Sequence, residues 1–144
     1  RRALKNKWMY KIKHEENGQK PRYKAQILVK GCNQKKGVDF EEIFSPVVKM
    51  TLVRTVLAMA ASMDLEVKQM DVKTTFLHGD LEEEIYIEQP EGFQAPGCEG
   101  MICRLKKSLY GLKQASRQWY KKFESFMNEH KFMKTEADHC VFVN

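Results

Sequence analysis

Apolar and polar positions alternate in two early runs, WMYKIK (Trp8 to Lys13) and RYKAQILVKG (Arg22 to Gly31), and this period of two predicts strands. The intervening HEENGQKP holds Asn17-Gly18, a tight-turn pair, so the strands are expected to form a basic hairpin. After the loop GVDFEEIFSP the period changes. In TLVRTVLAMAASM, Val53, Val56, Leu57, Ala60 and Ala61 recur at helical spacing behind the N-cap candidate Thr51, which predicts a helix running to Met63. LEVKQMDV (Leu65 to Val72) reads as a strand, although neither face is cleanly apolar. IYIEQ (Ile85 to Gln89) reads as another, followed by a loop with Pro90, Gly92, Pro96, Gly97 and Gly100, and then MICRL. From Gln114 to His130, Trp119, Tyr120, Phe123, Phe126 and Met127 make the apolar stripe of an amphipathic helix expected to pack on a sheet. Lys113, Arg117 and Lys121, four apart, form a basic row on a neighbouring face, free to meet phosphates or water. HCVFVN closes the chain as the start of a strand.

With 144 residues, 42% apolar, the chain suits one domain or two small lobes. Its longest apolar run, Val56 to Ala61, is far too short for a bilayer, so a soluble protein without membrane contact is expected. It starts without methionine and ends in a strand-like run, so both ends are expected to be cuts through a longer polypeptide. The four cysteines include no CxxC pair, which favours reduced thiols in the cytosol, and a zinc set from Cys98, Cys103, His139 and Cys140 fits no common ligand spacing. His14, His78 and His130 read as turn, surface or helix-end residues.

Charge is more informative. Residues 1–37 hold 12 basic and 2 acidic residues, residues 38–103 hold 4 and 13, and residues 104–144 hold 9 and 4. Basic outer segments around an acidic middle suit a protein that grips a polyanion and holds cations on central carboxylates; solvated lysine faces are the plainer reading.

Most catalytic templates are silent. GCNQKKGV lacks the GK[ST] of a phosphate-binding loop, and there is neither GxSxG nor HExxH. The run from Asp80 to Glu84, DLEEE, reads as a solvated segment. Asp71, at the end of the predicted strand Leu65 to Val72, taken alone reads as a helix cap or a loop hydrogen-bond acceptor.

The ordered series RYKAQILVKGCNQKKGVDFEEIFSPVVKM, LEVKQMDVKTTFLHGDLEEEIYIEQPEGF, CRLKKSLYGLKQASRQWYKKF and ADHCVFV, from about Trp8 onward, resembles the reverse transcriptase of copia-type retrotransposon Pol polyproteins. The resemblance implies an α+β right-hand polymerase, with an antiparallel sheet packed on helices. Fingers would fall at about 1–50 and 79–113, and a partial palm at about 51–78 and 114–144. It implies an RNA-directed DNA polymerase that adds dNTPs to a primer 3′-hydroxyl on an RNA or DNA template by two-metal transfer. Asp71 matches the first acidic motif and would hold Mg²⁺ together with the Val72 carbonyl; a single acid per strand suits an ion that keeps water and phosphate ligands.

By the same resemblance, Thr74 and Thr75 would face the triphosphate, and Phe76 would be the aromatic gate against ribonucleotides, where the residue taken alone reads as core. Tyr110 and Gly111 would line the nucleotide pocket. Lys24 would reach the incoming triphosphate, with Lys20 and Arg22 beside it, and Lys113 and Arg117 would touch the template unless they are simply solvated. Gln26, Cys32, Thr75 and Ser116 stand where the family commonly has arginine, phenylalanine, alanine and proline; Gln26 removes a bidentate phosphate ligand. The YVDD-like motif, thumb and ribonuclease H of such polyproteins would lie beyond Asn144, so residues 1–144 alone are expected to be inactive. The family implies a cytoplasmic, virus-like-particle setting. Two other readings stay open at this point: a non-catalytic nucleic-acid-binding remnant, and a metal-dependent nuclease built on Asp71, Asp80 and the glutamate run.

Overall fold

The structure, a computed structural model, describes residues 2–14 and 20–144. Strands β1 (Asn6–Lys13) and β2 (Arg22–Val29) pair antiparallel, from Asn6 opposite Val29 to Lys13 opposite Arg22. The Asn17-Gly18 turn lies outside the described residues. A short 3-10 turn at Gly31–Asn33 leads to a loop, and helix α1 spans Met50–Ser62. A second 3-10 turn, Thr75–His78, precedes β3 (Tyr86–Glu88), which pairs antiparallel with β4 (Ile102–Arg104). Helix α2 (Ala115–Glu129) follows, and β5 (Met133–Lys134) closes against β6 (Phe142–Val143).

The β1–β2 and β3–β4 pairs meet at one core. Leu4, Val29, Ile85, Ile87, Leu112 and Ala115 are buried together, with Phe76, Leu81, Cys103, Leu105 and Leu109 packed around them. Leu4 joins the hairpin to β3: its N–H donates to the Tyr86 carbonyl at 2.8 Å, and the Glu88 N–H returns to the Leu4 carbonyl at 3.0 Å. Six largely aliphatic side chains from four segments thus hold the base of the hairpin against the start of α2. The driving force is burial, about 1.5–3 kcal/mol for each fully enclosed large aliphatic side chain.

Two expectations are corrected and a third is met in part. Helix α1 starts one residue before Thr51: the Leu52 and Val53 amides bond to the Lys49 carbonyl, which puts Lys49 at the cap and Thr51 inside the first turn. Within its apolar stripe only Ala60 is buried; Val56 and Leu57 are exposed. Leu65 to Val72 is not a strand. A strand needs a hydrogen-bonded neighbour, and none lies beside this segment among the described residues. Its first amide turns back to the Ala60 carbonyl at 2.8 Å, and Leu65, Val67, Met70 and Val72 all stay exposed. Finally, the α2 stripe, expected to pack on a sheet, is shared between the two-stranded β5–β6 pair and a turn. Trp119 and Phe123 lie against the Thr75–His78 turn and β6, with Phe123 edge-on to Phe142 at 5.6 Å. His130 closes this helix, its Nδ1 lying 2.8 Å from the Phe126 carbonyl.

A polar network missing from the sequence reading seats the start of α2. Gln114, the cap residue, is fully buried. Its carbonyl oxygen Oε1 accepts from Gln34 Nε2 at 2.9 Å, and its own Nε2 donates to the Asp39 carbonyl at 2.8 Å and Glu83 Oε2 at 3.1 Å. Gln34 Oε1 then accepts the Lys113 amide at 2.8 Å. Replacing Gln114 by methionine keeps the bulk and strands these partners, so Gln114→Met is expected to lower stability by about 2–4 kcal/mol in urea unfolding. A change within about 0.5 kcal/mol would mean that the amides exchange freely with water.

Candidate nucleotide and metal site

Segments far apart in the chain converge where β2 ends. The Val29 N–H donates to the Tyr110 carbonyl at 2.8 Å, which brings the SLYGLKQ segment onto the hairpin. Gly111 adopts φ +92°, and its Cα rests on the Val29 backbone so closely that a Cβ would lie 3.0 Å from the Val29 nitrogen and nearer still to its carbonyl oxygen. The Phe76 ring packs against Tyr110, with centroids 5.0 Å apart and planes at 60°. Phe76, Tyr110 and Gly111, singled out from two separate motifs, therefore form one cluster.

The segment leading into Phe76 is a tight turn. Thr74 sits at φ 55°, and its hydroxyl donates to the Lys73 carbonyl at 2.7 Å. The Thr75 hydroxyl donates to the Val72 carbonyl at 2.8 Å, which fixes Val72 relative to Phe76. Asp71, one residue before, is exposed and makes no hydrogen bond or ion pair with any described residue. Among the described residues no group of three His, Cys, Asp or Glu side chains could hold a metal ion. The Asp71 carboxylate and Val72 carbonyl are hard oxygen donors, and Mg²⁺ commonly takes one or two carboxylates with phosphate and water oxygens, so the pair fits one side of such a site.

The acidic run after Gly79 is solvent-facing at Asp80 and Glu82, as expected, but its carboxylates also carry ion pairs. Asp80 is paired with Lys107 and lies 3.6 Å from Lys122; Glu82 is paired with Lys121, and Arg104 reaches Glu84 at 3.1 Å. The hydrogen bond from Lys107 holds the Asp80 carboxyl below the usual range, and the bond from Lys121 does the same for Glu82. These acids clamp the segment to α2 and β4. A nuclease that used them as metal ligands would first have to break these pairs.

The basic row has partners too. Lys113 Nζ lies 3.4 Å from the Gln34 carbonyl and 4.8 Å from the Phe40 ring centroid, and Arg117 Nη1 donates to the Phe44 carbonyl at 3.1 Å. Lys113, Arg117 and Lys121 thus anchor the loop between Gln34 and Phe44 and the acidic run. Lys20, Arg22 and Lys24 are exposed on or beside the hairpin with no ion pair to a described residue; Lys24 stands opposite Lys11, and Arg22 opposite Lys13. The structure does not bring them into contact with Phe76 or Tyr110.

A family model described as reverse transcriptase (RNA-dependent DNA polymerase) matches residues 1–144. The chain belongs to the reverse transcriptase family. Among curated proteins it is 63% identical, over 142 residues and 99% of its length, to the retrovirus-related Pol polyprotein from transposon TNT 1-94 of Nicotiana tabacum. It is 39% identical, over 137 residues and 95% of its length, to the Pol polyproteins from transposons RE1 and RE2 of Arabidopsis thaliana. It spans 11% of the tobacco relative and 9% of each Arabidopsis one, so it corresponds to a reverse transcriptase segment of much longer polyproteins. No solved structure matches it. The family bears out the resemblance carried by the four ordered motifs. No helix among the described residues is long and apolar enough to cross a membrane.

Proposed function

We propose that this reverse transcriptase segment belongs to a copia-type Pol polyprotein and supplies the nucleotide pocket and the first metal-binding carboxylate of an RNA-directed DNA polymerase. The observation that carries the proposal is the packing of Phe76 on Tyr110, five residues after a carboxylate that pairs with no described residue. Asp71 and the Val72 carbonyl would hold Mg²⁺, which when bound activates a primer 3′-hydroxyl and neutralises the departing pyrophosphate. The Thr74–Thr75 turn sets the spacing between those oxygens and the Phe76 ring. Gly111, without a Cβ, leaves room for a nucleotide beside Tyr110. Lys24, with Lys20 and Arg22, gives the hairpin exposed cations for the triphosphate. The right-hand division, with fingers at about 1–50 and 79–113 and palm elsewhere, is part of the same proposal, as are a template–primer and dNTP as partners. Further carboxylates must come to Asp71 from beyond its own turn, so residues 1–144 by themselves are proposed to be inactive.

The test is primer extension on an RNA template by a Pol protein carrying this chain. Product that requires Mg²⁺ supports the proposal. Template binding without product favours the non-catalytic remnant. In the same assay Phe76→Ala is expected to raise ribonucleotide incorporation relative to dNTP by about 10- to 100-fold, because the ring no longer crowds the sugar 2′ position. Unchanged sugar selectivity would return Phe76 to a packing role beside Tyr110.

A further inference from the structure

The turn between Val72 and Phe76 holds an unusual backbone. Thr74 is β-branched, yet it sits in the left-handed region at φ 55° and ψ 34°, a conformation that side chains of this kind resist. Such a residue stays there only where its surroundings leave no alternative. Packing does not supply that constraint. Lys73 and Thr74 are exposed, and Val72 before them borders an apolar cavity of about 290 Å³ that it shares with His78 and Trp119. Hydrogen bonds are left to hold the turn.

Three atoms make the hold. The Thr74 hydroxyl donates to the Lys73 carbonyl at 2.7 Å, and His78 Nε2 lies 3.2 Å from that carbonyl and 3.3 Å from the Thr74 hydroxyl oxygen. A carbonyl has no proton to give, and Thr74 has committed its own to Lys73, so towards His78 both oxygens can only accept. The proton in these contacts therefore belongs on Nε2. The imidazole ring also leans on α2, with its centroid 6.3 Å from that of Trp119 and the planes at 54°. The next residue, Gly79, packs on the same helix so closely that a Cβ would lie 2.9 Å from Gln118 Cβ, and its carbonyl accepts the Ser108 amide at 2.9 Å. One end of the turn is thus fixed to α2. From that end His78 reaches back to the backbone that follows Val72.

We propose that His78 is a positioning residue for the candidate metal and nucleotide site: donating from Nε2 to the Lys73 carbonyl and the Thr74 hydroxyl, it ties the Asp71 and Val72 oxygens to α2 at the spacing that Phe76 requires. Its consequence for catalysis rests on the polymerase reading, whereas the tether is a property of the fold. His78 is not itself a ligand in this reading. It acts through the Lys73–Thr74 backbone, and small displacements of reacting groups are costly in rate.

The experiment compares two variants in a Pol protein carrying this chain. His78→Phe keeps a ring beside Trp119 and removes the donor; His78→Gln supplies an amide nitrogen at similar reach. In steady-state primer extension His78→Phe is expected to lower kcat about five- to tenfold and to relax discrimination against ribonucleotides about two- to fivefold, with template–primer affinity unchanged. His78→Gln should return both to within about twofold of the parent, whereas a merely structural loss would fall on both variants alike. Hydrogen exchange of the same proteins in EDTA, read on peptides covering residues 74–79, follows the tether without catalysis. The Leu77 and Gly79 amides, which donate to the Thr74 and Phe76 carbonyls at 2.8 and 3.3 Å, should exchange about tenfold faster in His78→Phe and at the parental rate in His78→Gln, with α2 unchanged. Parental kcat and sugar selectivity in His78→Phe, or equal losses in both variants, would overturn the positioning role. A parent protein that extends no primer sinks the polymerase reading instead, and exchange then decides the tether: faster exchange in His78→Phe alone supports it, and unchanged exchange refutes it.

Discussion

In a Pol protein carrying this chain, Asp71→Asn is expected to cut Mg²⁺-dependent primer extension about a thousandfold or more while leaving template–primer affinity unchanged. Asparagine copies the shape of aspartate and removes one negative charge and one anionic ligand. Losing several kcal/mol of metal-derived transition-state stabilisation, at about 1.4 kcal/mol per tenfold in rate, corresponds to that size. The substitution is unusually clean here. Asp71 is exposed and bonds to no described residue, so the folded chain loses nothing when its charge goes. Urea unfolding should move by no more than about 0.5 kcal/mol. Loss of extension with stability intact therefore isolates chemistry from folding, whereas extension surviving at a tenth of its rate or better would remove Asp71 from the metal site. The same exchange at Asp80 asks a different question, because that carboxylate already pairs with Lys107 and faces Lys122.

What the sequence made legible was local. The alternation in Trp8 to Lys13 and Arg22 to Gly31 located the hairpin, and the spacing of Trp119, Phe123 and Phe126 located α2 to within a residue at each end. Both signals arise from one element choosing which side to bury. Leu65 to Val72 carried strand-forming residues, but a ladder is a property of two segments, and composition cannot supply the neighbour. The ion pairs of the acidic run from Asp80 to Glu84 were hidden for the same reason: its lysine partners lie more than two dozen residues downstream, on α2 and after β4. Gln34 and Gln114 gave no periodic signal at all. Amides are usually surface residues, and only the pairing of Gln34 with Gln114, with Asp39 and Glu83 as further acceptors, makes their burial tolerable. Of the candidate site, Phe76, Tyr110 and Gly111 could be picked out by motif, while their mutual contact depended on the hairpin base closing on Gly111. Lys113 and Arg117 show the converse: their type and spacing suited a template strand, and the structure gives them the carbonyls of Gln34 and Phe44 instead.

Gly111→Ala is expected to destabilise the chain by about 4 kcal/mol or more, lowering the thermal midpoint by roughly 10–15 °C. Two costs add at this position. Alanine resists φ +92°, which by itself accounts for about 1–2 kcal/mol. Its methyl would also meet the backbone of Val29, and backbone cannot swing aside as the end of a flexible side chain can. Nor can Gly111 retreat the other way, because Gly31 is packed against its carbonyl oxygen, with no room for a Cβ there either. Gly97 is the internal control: its φ of +77° is comparable, but a Cβ there meets nothing within 4 Å, so Gly97→Ala should show the conformational cost alone. The difference between the two variants then measures the contact between the SLYGLKQ segment and β2. Relief of the clash by shifting Tyr110 would also carry its ring away from Phe76, so a folded Gly111→Ala protein should lose dNTP affinity in proportion to the displacement. Equal destabilisation by both variants would mean that Gly111 and Val29 are not in contact in solution, and the pocket assembled on that contact would have to be drawn differently.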